Sequence, residues 1–171
     1  MLKLCLPFTV AILMTACAAP PSGPMASAQL VATTGNSASG VVSFSRQSQG
    51  VLVTGEVRGL APNKEHGFHI HDKGDCSSGD GMSTGGHFNP LAKSHGAHDH
   101  SEHHAGDLVS LKADANGVAK FSYTSTTITI GEGATDVLGH GLIVHRDADD
   151  FKTQPTGNSG PRIACAVIAK G

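Results

Sequence analysis

Three observations predict an all-β, antiparallel barrel or sandwich: segments of strict polar/apolar alternation, 22 glycines along the chain, and few apolar runs of helical period and length. The clearest alternation sets Val51, Val53, Gly55 and Val57 on one face against Thr54, Glu56 and Arg58 on the other, which is the pattern of a half-buried strand. In chain order, further strands are expected at residues 31–34, 41–46, 67–71, 107–112, 118–124, 141–145 and 162–168. Asp114-Ala-Asn116-Gly117 falls between two of them and reads as a hairpin turn, because Asn-Gly tolerates the positive φ that tight turns demand.

The segment before these strands has a different character. Lys3 is followed by an apolar stretch from 4 to 14 that is too short to remain as a membrane-spanning helix and is interrupted by Pro7. Residues 1–16 therefore read as a secretory signal. The stretch ends in Leu13-Met14-Thr15-Ala16-Cys17, which resembles a bacterial lipobox, with cleavage before Cys17 and lipid on its sulfur. A rival processing site, Ala26-Ser27-Ala28, lies well beyond the apolar run. Residues 17–29, rich in Pro, Ser, Gly and Ala, are expected to be a flexible tether, and 30–171 a single domain long enough to bury a core. The chain is thus expected to be exported to the periplasm or cell envelope and held to the membrane through lipid on Cys17. No basic run or aromatic platform appears, which argues against a nucleic-acid partner.

Most of the 11 histidines fall between His66 and His104. His69 and His71, one residue apart on an expected strand, present both rings on one face, so that two ligands reach one ion. Imidazole suits copper and zinc, and a carboxylate such as Asp107 adds an oxygen that zinc accepts. Neither a C-x-x-C zinc signature nor H-E-x-x-H is present.

The ordered set His69-x-His71, Gly-His87-Phe-Asn-Pro, His95, His104-x-x-Asp107, His145 and Arg162-Ile-Ala-Cys165 resembles the copper,zinc superoxide dismutases, here of a bacterial, exported, lipoprotein kind. The resemblance runs from about Val41 to the end of the sequence. It implies a Greek-key β-barrel or immunoglobulin-like sandwich with long metal-site loops, and an activity that converts superoxide to oxygen and hydrogen peroxide. It also implies copper ligands His69, His71, His87 and His145, and zinc ligands His87, His95, His104 and Asp107. His87 then serves both metals and is catalytic as the bridge that opens and reprotonates. An imidazole stripped of both ring protons can bind a cation on each nitrogen, and two adjacent divalent ions supply the charge for the second loss.

The same resemblance makes Arg162 the guanidinium that orients the anion beside copper, and Asp149 the carboxylate hydrogen-bonded to one ligand of each metal. Asp150 beside it reads as a solvated acidic turn. Cys76 and Cys165 are the even pair left in an exported chain and match the family's disulfide positions. His98, His100 and His103 read as a solvated polar loop, and only the spacing to Asp107 favours His104 over His103 as ligand. Lys64 and Lys152 are candidates for electrostatic guidance. A metal-binding or delivery module on the same fold is the alternative function, and a homodimer stays open.

Overall fold

Strand after strand buries every second side chain, and the chain satisfies them by curling one antiparallel sheet around a shared core. The computed structural model describes residues 25–171. Among these, the strands are β1 Met25–Ala32, β2 Ser39–Gln47, β3 Gly50–Arg58, β4 Glu65–His66, β5 Phe68–His71, β6 Leu111–Lys112, β7 Ala119–Ser125, β8 Gly141–His145, β9 Arg162–Val167 and β10 Ala169–Lys170, with one 3-10 turn at Met82–Thr84.

The main sheet has the order β5-β8-β9-β1-β2-β3-β7, β10 pairs with β1, and β4 pairs separately with β6. The turn at Asp114 and Gly117 joins β6 to β7. Gly117 N–H donates to Asp114 O at 3.0 Å, Asp114 N–H donates to Val118 O at 2.9 Å, and Gly117 takes the positive φ, 72°. Because β4 and β5 are one strand interrupted at Gly67, the β4–β6 pair brings the two ends of the long sheet together. The connections from β3 to β4 and from β7 to β8 skip neighbouring strands, which makes the barrel a Greek key.

Val42, Phe44, Val51, Val53, Phe68, Ile70, Leu142, Val144 and Ile168 fill the interior, and the Phe68 and Phe121 rings meet edge to face at 5.5 Å. Each fully buried side chain of this size contributes about 1.5–3 kcal/mol. β5 and β8 stand apart from the other strands, since every residue in both is buried. Phe68 and Ile70 face the core, while His69 and His71 are buried on the other face beneath the long loops.

Two expectations need correction. The tether expected over 17–29, with a first strand at 31–34, gives way to a strand beginning at Met25, in which Ala26, Ala28 and Leu30 are buried in alternation. Small alanines hide this period from hydropathy, and strand pairing supplies what propensity does not. The signal at 1–16, Cys17 and the tether up to 24 lie outside the described residues. The strand expected at 107–112 is reduced to Leu111–Lys112, with Asp107 reaching β5 by an isolated bridge to His69. The Asp107 carboxylate instead accepts the N–H groups of His104 (2.8 Å) and Gly96 (3.2 Å), a local turn that competes with extended pairing.

Candidate metal centre

β5 supplies His69 and His71, the last residue of β8 supplies His145, and a bridge between His71 and His87 brings in the 72–87 loop. The ligand atoms of His69, His71, His87 and His145 lie within 4.8 Å of one another, as do those of His87, His95, His104 and Asp107, and all seven residues are buried. The two groups share His87. All seven ligands anticipated from the sequence are therefore brought together, and His103 is not among them.

The far nitrogen of most rings is pinned. His71 Nδ1–H donates to Gly85 O (2.9 Å) and His145 Nδ1–H to Gly160 O (3.0 Å), so their Nε2 atoms are bare lone pairs, facing each other at 3.3 Å. Two such lone pairs repel unless a cation lies between them. His69 Nδ1, His87 Nε2, His95 Nδ1 and His104 Nδ1 are buried without hydrogen-bond partners. Asp107 Oδ1 lies 2.8 Å from His87 Nδ1 and 3.3 Å from His104 Nδ1, and Asp107 Oδ2 lies 3.0 Å from His95 Nδ1. Buried polar atoms are seldom left unpaired. One cation in each group would satisfy them, and the imidazole-rich donor set fits copper and zinc.

Electrostatics agree. Burial, helped by the neighbouring histidines and Arg162, holds His71 and His145 well below the ordinary imidazole value. Burial outweighs the Asp107 contact at His87 and lowers it to about 4. These rings are neutral at neutral pH, as metal ligands must be. At His95 burial opposes protonation, but the adjacent carboxylates of Asp107 and Asp149 prevail and raise it to about 9. Burial likewise opposes the charge of Asp107 and Asp149, yet hydrogen bonds from the surrounding histidines hold both below the usual carboxylate range.

Asp149 spans the two groups. Its Oδ2 accepts from His69 Nε2 (2.7 Å) and its Oδ1 from His95 Nε2 (2.9 Å) and from Phe151 N–H (2.7 Å). Gly157 makes room for it, since a Cβ there would lie 1.8 Å from Asp149 Oδ1 at a φ of +65°. Asp150 forms the exposed turn expected of it, accepting from Lys152 N–H and from Thr153. The side-chain amide of Gln154 binds both backbone groups of His95 at 2.9 Å. A surface-type amide in a polar loop gives no signal of that role.

Arg162 pairs across the sheet with His145. It donates from Nη1 to Gly81 O (2.6 Å) and Thr84 Oγ1 (2.8 Å), and from Nη2 to Gly85 O (2.6 Å). Gly85 O thus accepts from both Arg162 and His71. The disulfide Cys76–Cys165 is present, with Cα atoms 6.0 Å apart, and ties the loop carrying these acceptors to β9.

The remaining histidines divide. His66 is buried and donates to His145 O (2.9 Å), supporting a ligand's backbone. His140 is partly exposed and lies against Phe88, ring centroids 4.0 Å apart. Of the three expected to be solvated, only His100 is; His98 is half-buried and His103 fully buried. Both pack inward because Nδ1–H of each finds a backbone carbonyl, that of Asp107 for His98 and of His100 for His103.

Two histidine-rich groups joined through one imidazole, on a closed Greek-key barrel with a guanidinium alongside, define a dinuclear metalloprotein. The chain belongs to the copper/zinc superoxide dismutase family, whose model matches residues 38–168. It is 40% identical over 135 residues to the Superoxide dismutase [Cu-Zn] of Paramecium bursaria Chlorella virus 1, covering 75% of this chain and 71% of that one. It is 43% identical over 138 residues to that of Saccharomyces cerevisiae, covering 76% and 88%. Among solved structures it is similar to a double mutant of a SOD-like protein from Bacillus subtilis, with a TM-score of 0.76, 36% identity and coverage of 84% and 96%. It is also similar to the clock protein EA4, with a TM-score of 0.78, 35% identity and coverage of 90% and 98%. The chain is a superoxide dismutase with copper and zinc as its cofactors and superoxide as its substrate.

Proposed function

We propose that the all-histidine group, His69, His71, His87 and His145, holds copper, and that His87, His95, His104 and Asp107 hold zinc. The observation that carries this is the Gly85 carbonyl, which couples Arg162 to His71 and so sets the anion-binding side chain against the all-nitrogen group. The mixed group has the carboxylate that zinc accepts and four protein ligands, which suits a structural ion. Bound copper supplies the one-electron couple, while zinc, without redox chemistry, supplies fixed charge.

The chain's own residues do the rest. Two superoxide anions and two protons become one oxygen and one hydrogen peroxide. Arg162, its Nη atoms fixed by three acceptors, presents a permanent charge that attracts and orients each anion. His87, with Nδ1 turned to Asp107, carries at Nε2 the proton handed to the departing product. Asp149 holds His69 and His95 in the tautomers that leave their ligand nitrogens bare.

The setting we infer is the cell envelope, with the protein lipid-anchored at Cys17 and guarding against superoxide arising outside the cell. Support comes from the disulfide, which persists in oxidising compartments. Support also comes from β1, because processing after Ala28 would remove half of that strand. Loaded protein should consume superoxide rapidly, lose the activity with His69→Ala, and lose part of it, salt-dependently, with Arg162→Ala. Tight copper and zinc binding without activity would favour metal storage or delivery instead.

A further inference from the structure

Beside the two ligand groups, the 94–104 loop holds three histidines that the dismutation centre does not use, His98, His100 and His103. His103 is only 5% exposed. Its Nδ1–H donates to His100 O at 2.7 Å, which places the proton on Nδ1 and leaves Nε2 a lone pair, buried and without any partner. Buried polar atoms are seldom left without a partner.

His98 has the same arrangement, with Nδ1–H donating to Asp107 O at 2.9 Å and Nε2 free. The two rings stand 5.5 Å apart between centroids. That equals the spacing of His71 and His145, of His87 and His104, and of His95 and His104, all pairs within the two ligand groups. His98 and His103 line an open cavity of about 710 Å³ together with Asp99 and the exposed His100.

We propose that Nε2 of His98 and Nε2 of His103 hold a third transition-metal ion, copper(II) or zinc(II). Two neutral imidazoles with their protons on Nδ1 are a donor pair that these ions favour. The exposed His100, which lines the same cavity, and water can fill the remaining positions. The site is separate from the dinuclear centre but adjoins it, since His103 precedes His104 in the chain and His98 holds the backbone of Asp107.

The proposal rests on the copper and zinc reading of the centre, so the test counts all ions together. Untagged protein, already carrying one copper and one zinc, is dialysed against buffered free zinc and its metal content measured. Three ions per chain are expected, falling to two in His98→Gln and in His103→Gln. Where His103→Gln fails to fold, the half-buried His98 position decides. Two ions in the unaltered protein, or a third that persists in both variants, would overturn the site. An ion that disappears with His98→Gln, from a protein that on isolation holds fewer than two elsewhere, would uphold the site and strike the reading of the centre.

Discussion

Asp149 is a single residue whose loss should reach both metals, because its two oxygens orient one ligand in each group. Asp149→Asn keeps the size but offers only one acceptor oxygen, and about a 10–100-fold loss of metal affinity is expected, measured by competition with a chelator. Titration provides a second prediction. In the metal-free protein His95 is raised to about 9, so it stabilises the fold fully below the unfolded value near 6.5 and loses that contribution as pH rises through 9. His87, lowered to about 4, acts in the other window. The unfolded chain takes up that proton first, so stability falls as pH drops from 6.5 towards 4. Melting temperature of the metal-free protein should therefore peak near pH 6.5, and the alkaline decline should vanish in His95→Gln. At this scale the sequence was legible through the resemblance it carries, which named the seven residues that the structure gathers into two groups and the Asp149 that spans them. Gln154 and the Gly85 carbonyl were not legible, because a backbone acceptor has no side-chain signature and an amide in a polar loop is unremarkable.

Among the elements, the 72–87 loop depends on β9 through Cys76–Cys165 and through the three bonds of Arg162. Closing a loop across a separation of 89 residues stabilises by up to about 4–5 kcal/mol in the chain-entropy account. Cys76→Ser with Cys165→Ser should lower stability by up to that amount and reduce turnover while the metals are retained, because Gly81, Thr84 and Gly85 would no longer fix the guanidinium. Calorimetry with a metal count and an activity assay separates the two effects. Gly50–Arg58, with its β-branched alternation, and Gly141–His145, a short apolar run, were read closely from sequence. Met25–Ala32 was not, since buried alanine carries almost no hydropathy signal, and a chain begun at Gln29 should melt lower for want of the pairs from Met25 to Ala28 with β2.

For the molecule as a whole, a net charge of −2 leaves the approach of an anion to local fields. Arg162→Ala should lower kcat/KM by roughly 10–100-fold, the worth of one charged hydrogen-bonding contact, and Arg162→Lys should restore only part. Raising ionic strength from 0.01 to about 0.15 M should slow the native enzyme more than Arg162→Ala, because the screening length shrinks to about 8 Å. Pulsed generation of superoxide with optical decay measures both. Closure of the barrel was the least legible property. No local pattern says that two-residue strands at Glu65–His66 and Leu111–Lys112 will join the ends of a seven-strand path.

The carbonyl of Gly85 has a thermodynamic consequence. One peptide group holds the ring of His71 and the guanidinium of Arg162, so fixing either side removes motion from the other. Anion affinity and metal affinity are then linked variables, and linkage is reciprocal: whatever factor the ion adds to anion binding, the anion adds to retention of the ion. Chloride titrations of the loaded and metal-free protein would give that factor, and a value of one would show that the two sites are independent.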